Sequence, residues 1–252
     1  MAQKRIFRHL QTKTHDGPIL ASRSNMARPS RQDVLGNGPA VVHVNASCHN
    51  GEFLLADEIV KTTLYLLLFF YKTVYNVLIY EYCFMDSHIH IIIEVAKVED
   101  LSRFMQQVFS QLARFINKRM QRTGEVFQDR AKTPLIQSGD QFLITMRYID
   151  RNPVRASMVR KAHDYPWSSY RHYAYGEHND LIDDAPEYLG LSKLPAKRRL
   201  MYQRLALRLP HEGKRKLKIF STRYFIGDAA WIMDMMRKAG FTRPRIPPDP
   251  FL

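Results

Sequence analysis

The sequence predicts an α+β fold, an antiparallel sheet in a split β-α-β arrangement with helices on one face, followed by a basic, mostly helical C-terminal region. Three observations lead there. Residues 74–84 (VYNVLIYEYCF) and 88–95 (HIHIIIEV) are β-branched and aromatic and flank the turn residues Met85-Asp86-Ser87. Leu101, Phe104, Met105, Val108, Leu112, Phe115, Ile116 and Met120 recur at steps of three and four, the period of an amphipathic helix. The elements then run β-α-β-β-α-β and a helix, the order of a ferredoxin-like sandwich.

Each element has a local reason. Residues 1–36 show no sustained period and contain Gly17-Pro18, Pro29-Ser30 and Gly36-Asn37-Gly38, so they read as a flexible basic arm. Val41, Val42, Val44 and Ala46 mark a first strand. Apolar residues crowd positions 54–71 into a helix lying against the sheet. The amphipathic helix after the second hairpin strand presents Arg103, Arg114, Lys118 and Arg122 outward and stops at Thr123-Gly124. Residues 126–128 and 134–136 are short extended pieces. A helix over 141–151 ends at Asn152-Pro153, because the residue before a proline avoids helical geometry. Beyond Val159 the chain reads as loop, through Tyr165-Pro166-Trp167, until helix resumes near Lys197. Three units follow: an arm at 1–36, a central domain at 37–176 and a basic region at 177–252.

Composition narrows the function classes. The 252 residues are 45% hydrophobic and 25% charged, an ordinary globular mixture. Two cysteines, Cys48 and Cys83, exclude a disulfide scaffold and a four-cysteine zinc site, and point to a reducing cytoplasm. The most apolar run, 64–71, is too short to span a bilayer, and no apolar stretch follows the basic N-terminus, so neither a membrane anchor nor a signal peptide is expected. The net charge of +14 is uneven: residues 1–36 carry +5, 37–191 carry −2 and 192–252 carry +11. Basic ends on a nearly neutral body suit a polyanion, since each Lys or Arg that meets a phosphate releases a counterion.

Two clusters carry chemistry. His88 and His90 stand at i and i+2 of a strand, so both imidazoles leave the same face, where they can bind a divalent metal or simply hydrogen-bond. Tyr148 and Asn152 stand at i and i+4 of a helix and share a face; Asn152 offers an amide oxygen to a hard cation or, before Pro153, a C-terminal cap. A phenol with a pKa of about 10 is a weak nucleophile at neutral pH, so Tyr148 needs a metal beside it or is a packed helix residue. Arg147, Arg151 and Arg155 flank this helix as phosphate contacts, with Arg155 equally suited to pair a carboxylate. Tyr165, Tyr170 and Tyr173 lie nearby in sequence, in the segment read as loop, with no fixed relation to the histidine strand.

Four segments in order, Met85-Asp86-Ser87-His88-Ile89-His90-Ile91-Ile92-Ile93, Gly124-Glu125-Val126-Phe127-Gln128-Asp129-Arg130, Tyr148-Ile149-Asp150-Arg151-Asn152-Pro153-Val154-Arg155-Ala156 and Tyr165-Pro166-Trp167-Ser168-Ser169-Tyr170, closely resemble the REP-associated tyrosine transposases. These are relatives of the insertion-sequence transposases that handle single-stranded DNA, in the HUH class. The resemblance covers residues 26–191, and the C-terminal region more loosely. It implies one Mg²⁺ or Mn²⁺ held by His88, His90 and Asn152, and Tyr148 attacking a DNA phosphate to leave a 5′-phosphotyrosine link and a free 3′-hydroxyl. It implies single-stranded or hairpin DNA as partner and a monomer or homodimer. Family members commonly carry Pro-Asn where this chain has Asp86-Ser87, and begin with a segment like Met26-Ala27-Arg28-Pro29, which makes residues 1–25 an extension or a matter of start-site choice. The alternative is a non-catalytic nucleic-acid-binding regulator on the same scaffold. A barrel metallohydrolase is excluded for want of eight βα units.

Overall fold

A computed structural model describes residues 30–207, 220–221 and 224–241 of the chain. The last residues of the expected arm form a capped turn of helix, α1 (Arg31–Leu35), in which Ser30 and Asp33 each accept from the other's backbone N–H. The rest of that arm, including Met26 to Pro29, lies outside the described residues.

β1 (Ala40–Ser47) is followed by α2 (Glu58–Val74), β2 (Val77–Phe84), β3 (His88–Val95) and α3 (Val98–Arg119). α2 begins later than its apolar run, at the Asp57 cap, because Leu55 is held ahead of it by its N–H, which donates to the Asp86 carbonyl at 3.0 Å. It also extends to Val74, and Asn76 at φ 49° reverses the chain into β2, a left-handed turn that asparagine tolerates. Then come β4 (Leu135–Ile136), α4 (Asp140–Asp150) and α5 (Asn152–Arg155). Asn152-Pro153 thus ends α4 and at once starts a new turn, with Pro153 in the first turn, where its missing N–H is not needed.

The segment expected as loop holds α6 (Tyr170–Tyr175) and α7 (Pro186–Gly190), and the C-terminal region contributes α8 (Pro195–Leu207), β5 (Phe220–Ser221), β6 (Phe225–Gly227) and α9 (Ala229–Lys238). The sheet order is β2-β3-β1-β4-β6-β5. β3 pairs antiparallel with both β1 and β2, as the split β-α-β order requires, whereas β4 and β6 pair in parallel. The outer edge of β2 is covered: Phe84 N–H donates to the Trp167 carbonyl, Ser169 N–H to Tyr82 and Asp183 N–H to Ile79.

Side-chain alternation divides the core in two. Val42, Val44, Ile89, Ile91 and Ile93 face α2 and α3 through Val60, Leu64, Leu68, Leu101, Phe104 and Leu112. The opposite face, with Tyr80, Cys83 and Ile92, meets Phe142, Met146 and Ile149 of α4. Helices therefore cover both faces. The expected one-sided arrangement describes α2 and α3, and α4 takes the second face because its own apolar stripe must be buried.

That second core is rich in tyrosine. Tyr165, Tyr170, Tyr173, Tyr188 and Tyr202 are buried there. Tyr165 O–H donates to the Phe84 carbonyl at 2.5 Å, Tyr173 O–H to that of Tyr80, and Tyr188 O–H to that of Tyr173 at 2.9 Å. An aromatic ring with a hydroxyl needs one such partner when buried, and finding it takes tertiary structure. Packing crosses the boundary expected at 176, since Leu181, Tyr188 and Tyr202 belong to the same cores as β2 and α4. The basic C-terminal region is therefore partly integral to the body.

Candidate active site

The site stands at the start of β3, where the chain leaves the Met85-Asp86-Ser87 turn. Three tethers hold that turn: Cys48 N–H donates to the Ser87 carbonyl at 2.7 Å, Leu55 N–H to Asp86, and the buried Lys61 ammonium lies 2.6 Å from the Asp86 carboxylate. Asp86→Ala strands the Lys61 charge away from water and is expected to cost about 2–3 kcal/mol. The value sits at the low end because the Asp86 side chain is 32% exposed. Urea unfolding of Asp86→Ala beside Lys61→Met checks it, and the methionine variant should lose less.

From this turn the strand presents His88 and His90 on one face, with Ile89 buried on the other, as period two requires. The two rings lie with centroids 4.9 Å apart at 83°. Tyr148 reaches them from α4, edge-on to His90 at 5.8 Å and 75°. Asn152 follows one turn later. Its amide nitrogen donates to the carbonyls of Tyr148 (3.0 Å) and Ile149 (3.4 Å), so it does close the end of α4, and its amide oxygen is the atom left with ligand capacity. The Arg155 guanidinium lies over the Tyr148 ring, 5.1 Å from its centroid. Arg151 instead ties α4 to α8, donating to the Ala206 carbonyl at 3.3 Å, while Arg147 is half-buried one turn before it.

A third imidazole joins them. His43 of β1 places Nε2 2.9 Å from His90 Nδ1, and its ring centroid is 6.4 Å from that of Tyr148. In sequence it is a lone histidine among valines. The available signal was parity: Val42 and Val44 face the first core, so His43 faces the other side. Only the register, His43 opposite Ile92 and Asn45 opposite His90, makes it diagonal to the histidine pair.

Burial dominates the electrostatics. It drives His43 down to about 4 and His90 well below its usual range, where the neighbouring His43, His88 and Arg155 charges act in the same direction. His88 is lowered by burial too. The imidazoles are therefore neutral at neutral pH, the form that binds metal. Burial raises the Tyr148 phenol, and Arg155 opposes the rise. Among the described residues no three His, Cys, Asp or Glu side chains cluster as a metal site. One feature of the site fits a metal: His90 Nε2 is buried with no hydrogen-bond partner.

Behind α4 lies a buried acid pair. A bulge in β2 sets Tyr80 and Glu81 against a single β3 position, and Glu81 reaches Asp150 of α4. Ser169 O–H donates to Glu81, and Tyr202 O–H donates to Asp150 at 2.5 Å. Burial and mutual repulsion hold Glu81 well above the usual carboxylate range, and burial lifts Asp150 to about 7. The pair keeps a proton at neutral pH.

No helix among the described residues is long and apolar enough to cross a membrane. None of the curated proteins matches the chain. A solved structure, "Structure of the REP associates tyrosine transposase bound to a REP hairpin", shares 18% identity over 59% of this chain and 87% of that one, with a TM-score of 0.46. Residues 40–152 match the family model described as "Transposase IS200 like". Over the segment that carries both histidines, the tyrosine helix and Asn152, the chain is similar to the IS200-like transposases.

Proposed function

We propose that this protein is a transposase that cuts and rejoins single-stranded or hairpin DNA in the cytoplasm, with Tyr148 as nucleophile. The observation that carries the reading is Tyr148 set edge-on to His90, whose Nε2 is buried without a partner, inside the segment that matches the transposase family. A divalent ion, Mg²⁺ or Mn²⁺, bound by His88 and His90 with the Asn152 oxygen as third donor, would supply positive charge to the phosphate under attack. Tyr148 forms the bond to phosphorus and keeps the 5′ side as a phosphotyrosine, releasing a 3′-hydroxyl. Arg155 offsets the burial of the phenol and stands where it can hold a phosphate oxygen. Asn152, by closing α4, keeps Tyr148 from fraying out of the site. The catalytic machinery lies within residues 37–176, and the basic C-terminal region adds affinity for the DNA backbone, to a monomer or a homodimer.

The second reading is a binding-only regulator on the same scaffold, since the basic charge at the two ends of the chain would bind DNA whether or not Tyr148 reacts. One experiment separates the two: single-stranded oligonucleotides from the flanks of the protein's own gene, incubated with the full chain and Mn²⁺. A covalent protein–DNA adduct is the expected result, and DNA binding without adduct favours the regulator. In the same assay His88→Ala is expected to lose cleavage but keep its unfolding midpoint within about a degree, since the half-exposed strand end tolerates a smaller side chain. Cleavage by His88→Ala at the wild-type rate in the presence of chelator would remove the metal from the mechanism.

A further inference from the structure

We infer that His43 is a positioning residue that fixes which ring nitrogen of His90 is left to bind metal. The inference rests on the metal reading proposed above. The His43 and His90 rings have centroids 5.0 Å apart, planes within 29° and a nitrogen–nitrogen contact of 2.9 Å. They therefore meet edge to edge and nearly coplanar, the geometry of an in-plane hydrogen bond.

One hydrogen must lie between His90 Nδ1 and His43 Nε2, and there are two ways to supply it. If His43 donates, His90 carries its own hydrogen on Nε2, a fully buried donor with no partner and no lone pair for a metal. If His90 donates from Nδ1, His43 accepts and His90 Nε2 is bare. The second arrangement avoids an orphaned buried N–H, the rarer and costlier defect, and it is the form a ligand needs. His88 is treated alike: Ser87 Oγ lies 3.2 Å from its Nδ1, which again leaves Nε2. Both imidazoles thus have Nδ1 engaged by a protein group. His43 can serve because its own place is set by the sheet, its backbone N–H donating to the Pro134 carbonyl at 3.0 Å. It touches neither the phosphate nor the metal in this scheme; it acts through His90.

The test uses the full chain with two readouts. Nitrogen-15 NMR of the metal-free, histidine-labelled wild type should show His90 hydrogenated at Nδ1. Calorimetric titration with Mn²⁺ alone should show about 10- to 100-fold weaker binding for His43→Phe, the usual scale for losing such a partner. His43→Gln, which keeps an acceptor within reach, should recover most of that affinity, which a purely structural role for the ring would not predict. Hydrogen on His90 Nε2 in the wild type overturns the inference, as does wild-type Mn²⁺ affinity in His43→Phe. Should His43→Phe not fold, the wild-type NMR result and His43→Gln decide it. A wild type with His90 hydrogenated at Nδ1 that binds no Mn²⁺ overturns the metal reading instead.

Discussion

Tyr148→Phe is expected to abolish the covalent adduct with single-stranded DNA while DNA and Mn²⁺ affinities stay at wild-type values. The ring of Tyr148 lies edge-on to His90 and His43 and under the Arg155 guanidinium, and phenylalanine keeps all three contacts. What is lost is the reacting oxygen and its hydrogen bond with Arg155. Because the adduct needs that oxygen, the loss should be complete to the limit of detection, beyond about 10³-fold. The chain has thirteen tyrosines. Tyr165 and Tyr173, near Tyr148 in sequence, are not the loosely placed residues that their loop-like segment suggests. Their hydroxyls are committed to buried carbonyls of β2, and burial raises their phenols further. Tyr170 is buried and raised in the same core. A peptide map that places the nucleotide on any of these, or an adduct that survives Tyr148→Phe, would sink the assignment.

The second large effect is on stability against pH. Glu81 and Asp150 have folded-state values raised above their unfolded ones, so the native protein holds a proton that the unfolded chain has released above about pH 4. Their contribution is therefore present at low pH and is lost as pH rises through about 7. His43 and His90 work the other way: their lowered values add stability that is complete above the unfolded histidine value and is lost on acidification. The two effects oppose each other in the acid range. Above about pH 6.5 the histidines are neutral in both states, and the acid pair acts without that opposition. Stability should therefore fall as pH rises through about 7. Glu81→Gln removes the need for that proton and can still accept from Ser169, so it should flatten the slope and raise the melting temperature at pH 8.5 by several degrees. Thermal unfolding at three pH values checks this, and an unchanged slope in Glu81→Gln would show that the pair does not hold the proton.

The acid pair, like His43, was not legible along the chain. Glu81 reads as a strand residue and Asp150 as a helix residue, separated by more than sixty positions. A bulge between Ile79 and Glu81 aims the carboxyl at α4, and nothing in local periodicity announces a bulge. The tyrosine core resembles loop in the sequence for a related reason. Tyrosine counts as half polar, and Tyr165, Tyr170, Tyr173, Tyr188 and Tyr202 follow no helical or strand period, so their burial becomes visible only when partner carbonyls from β2 and α6 and the Asp150 carboxylate meet them.

What the sequence determined by itself is what depends on short periods. Period two on 88–95 placed His88 and His90 on one face, and the helical period placed Tyr148 and Asn152 on another. The Met85-Asp86-Ser87 turn joined the two strands of the hairpin, and the heptad-like spacing from Leu101 to Ile116 made α3. Tertiary structure alone decided that these two faces meet, that His43 stands behind His90, that Arg151 reaches a carbonyl of α8, and that the basic C-terminal region contributes to the second core. The physical reason is range. Backbone geometry repeats over two to four residues and is written locally, whereas register, bulges and buried hydrogen bonds are settled between segments that only folding brings together.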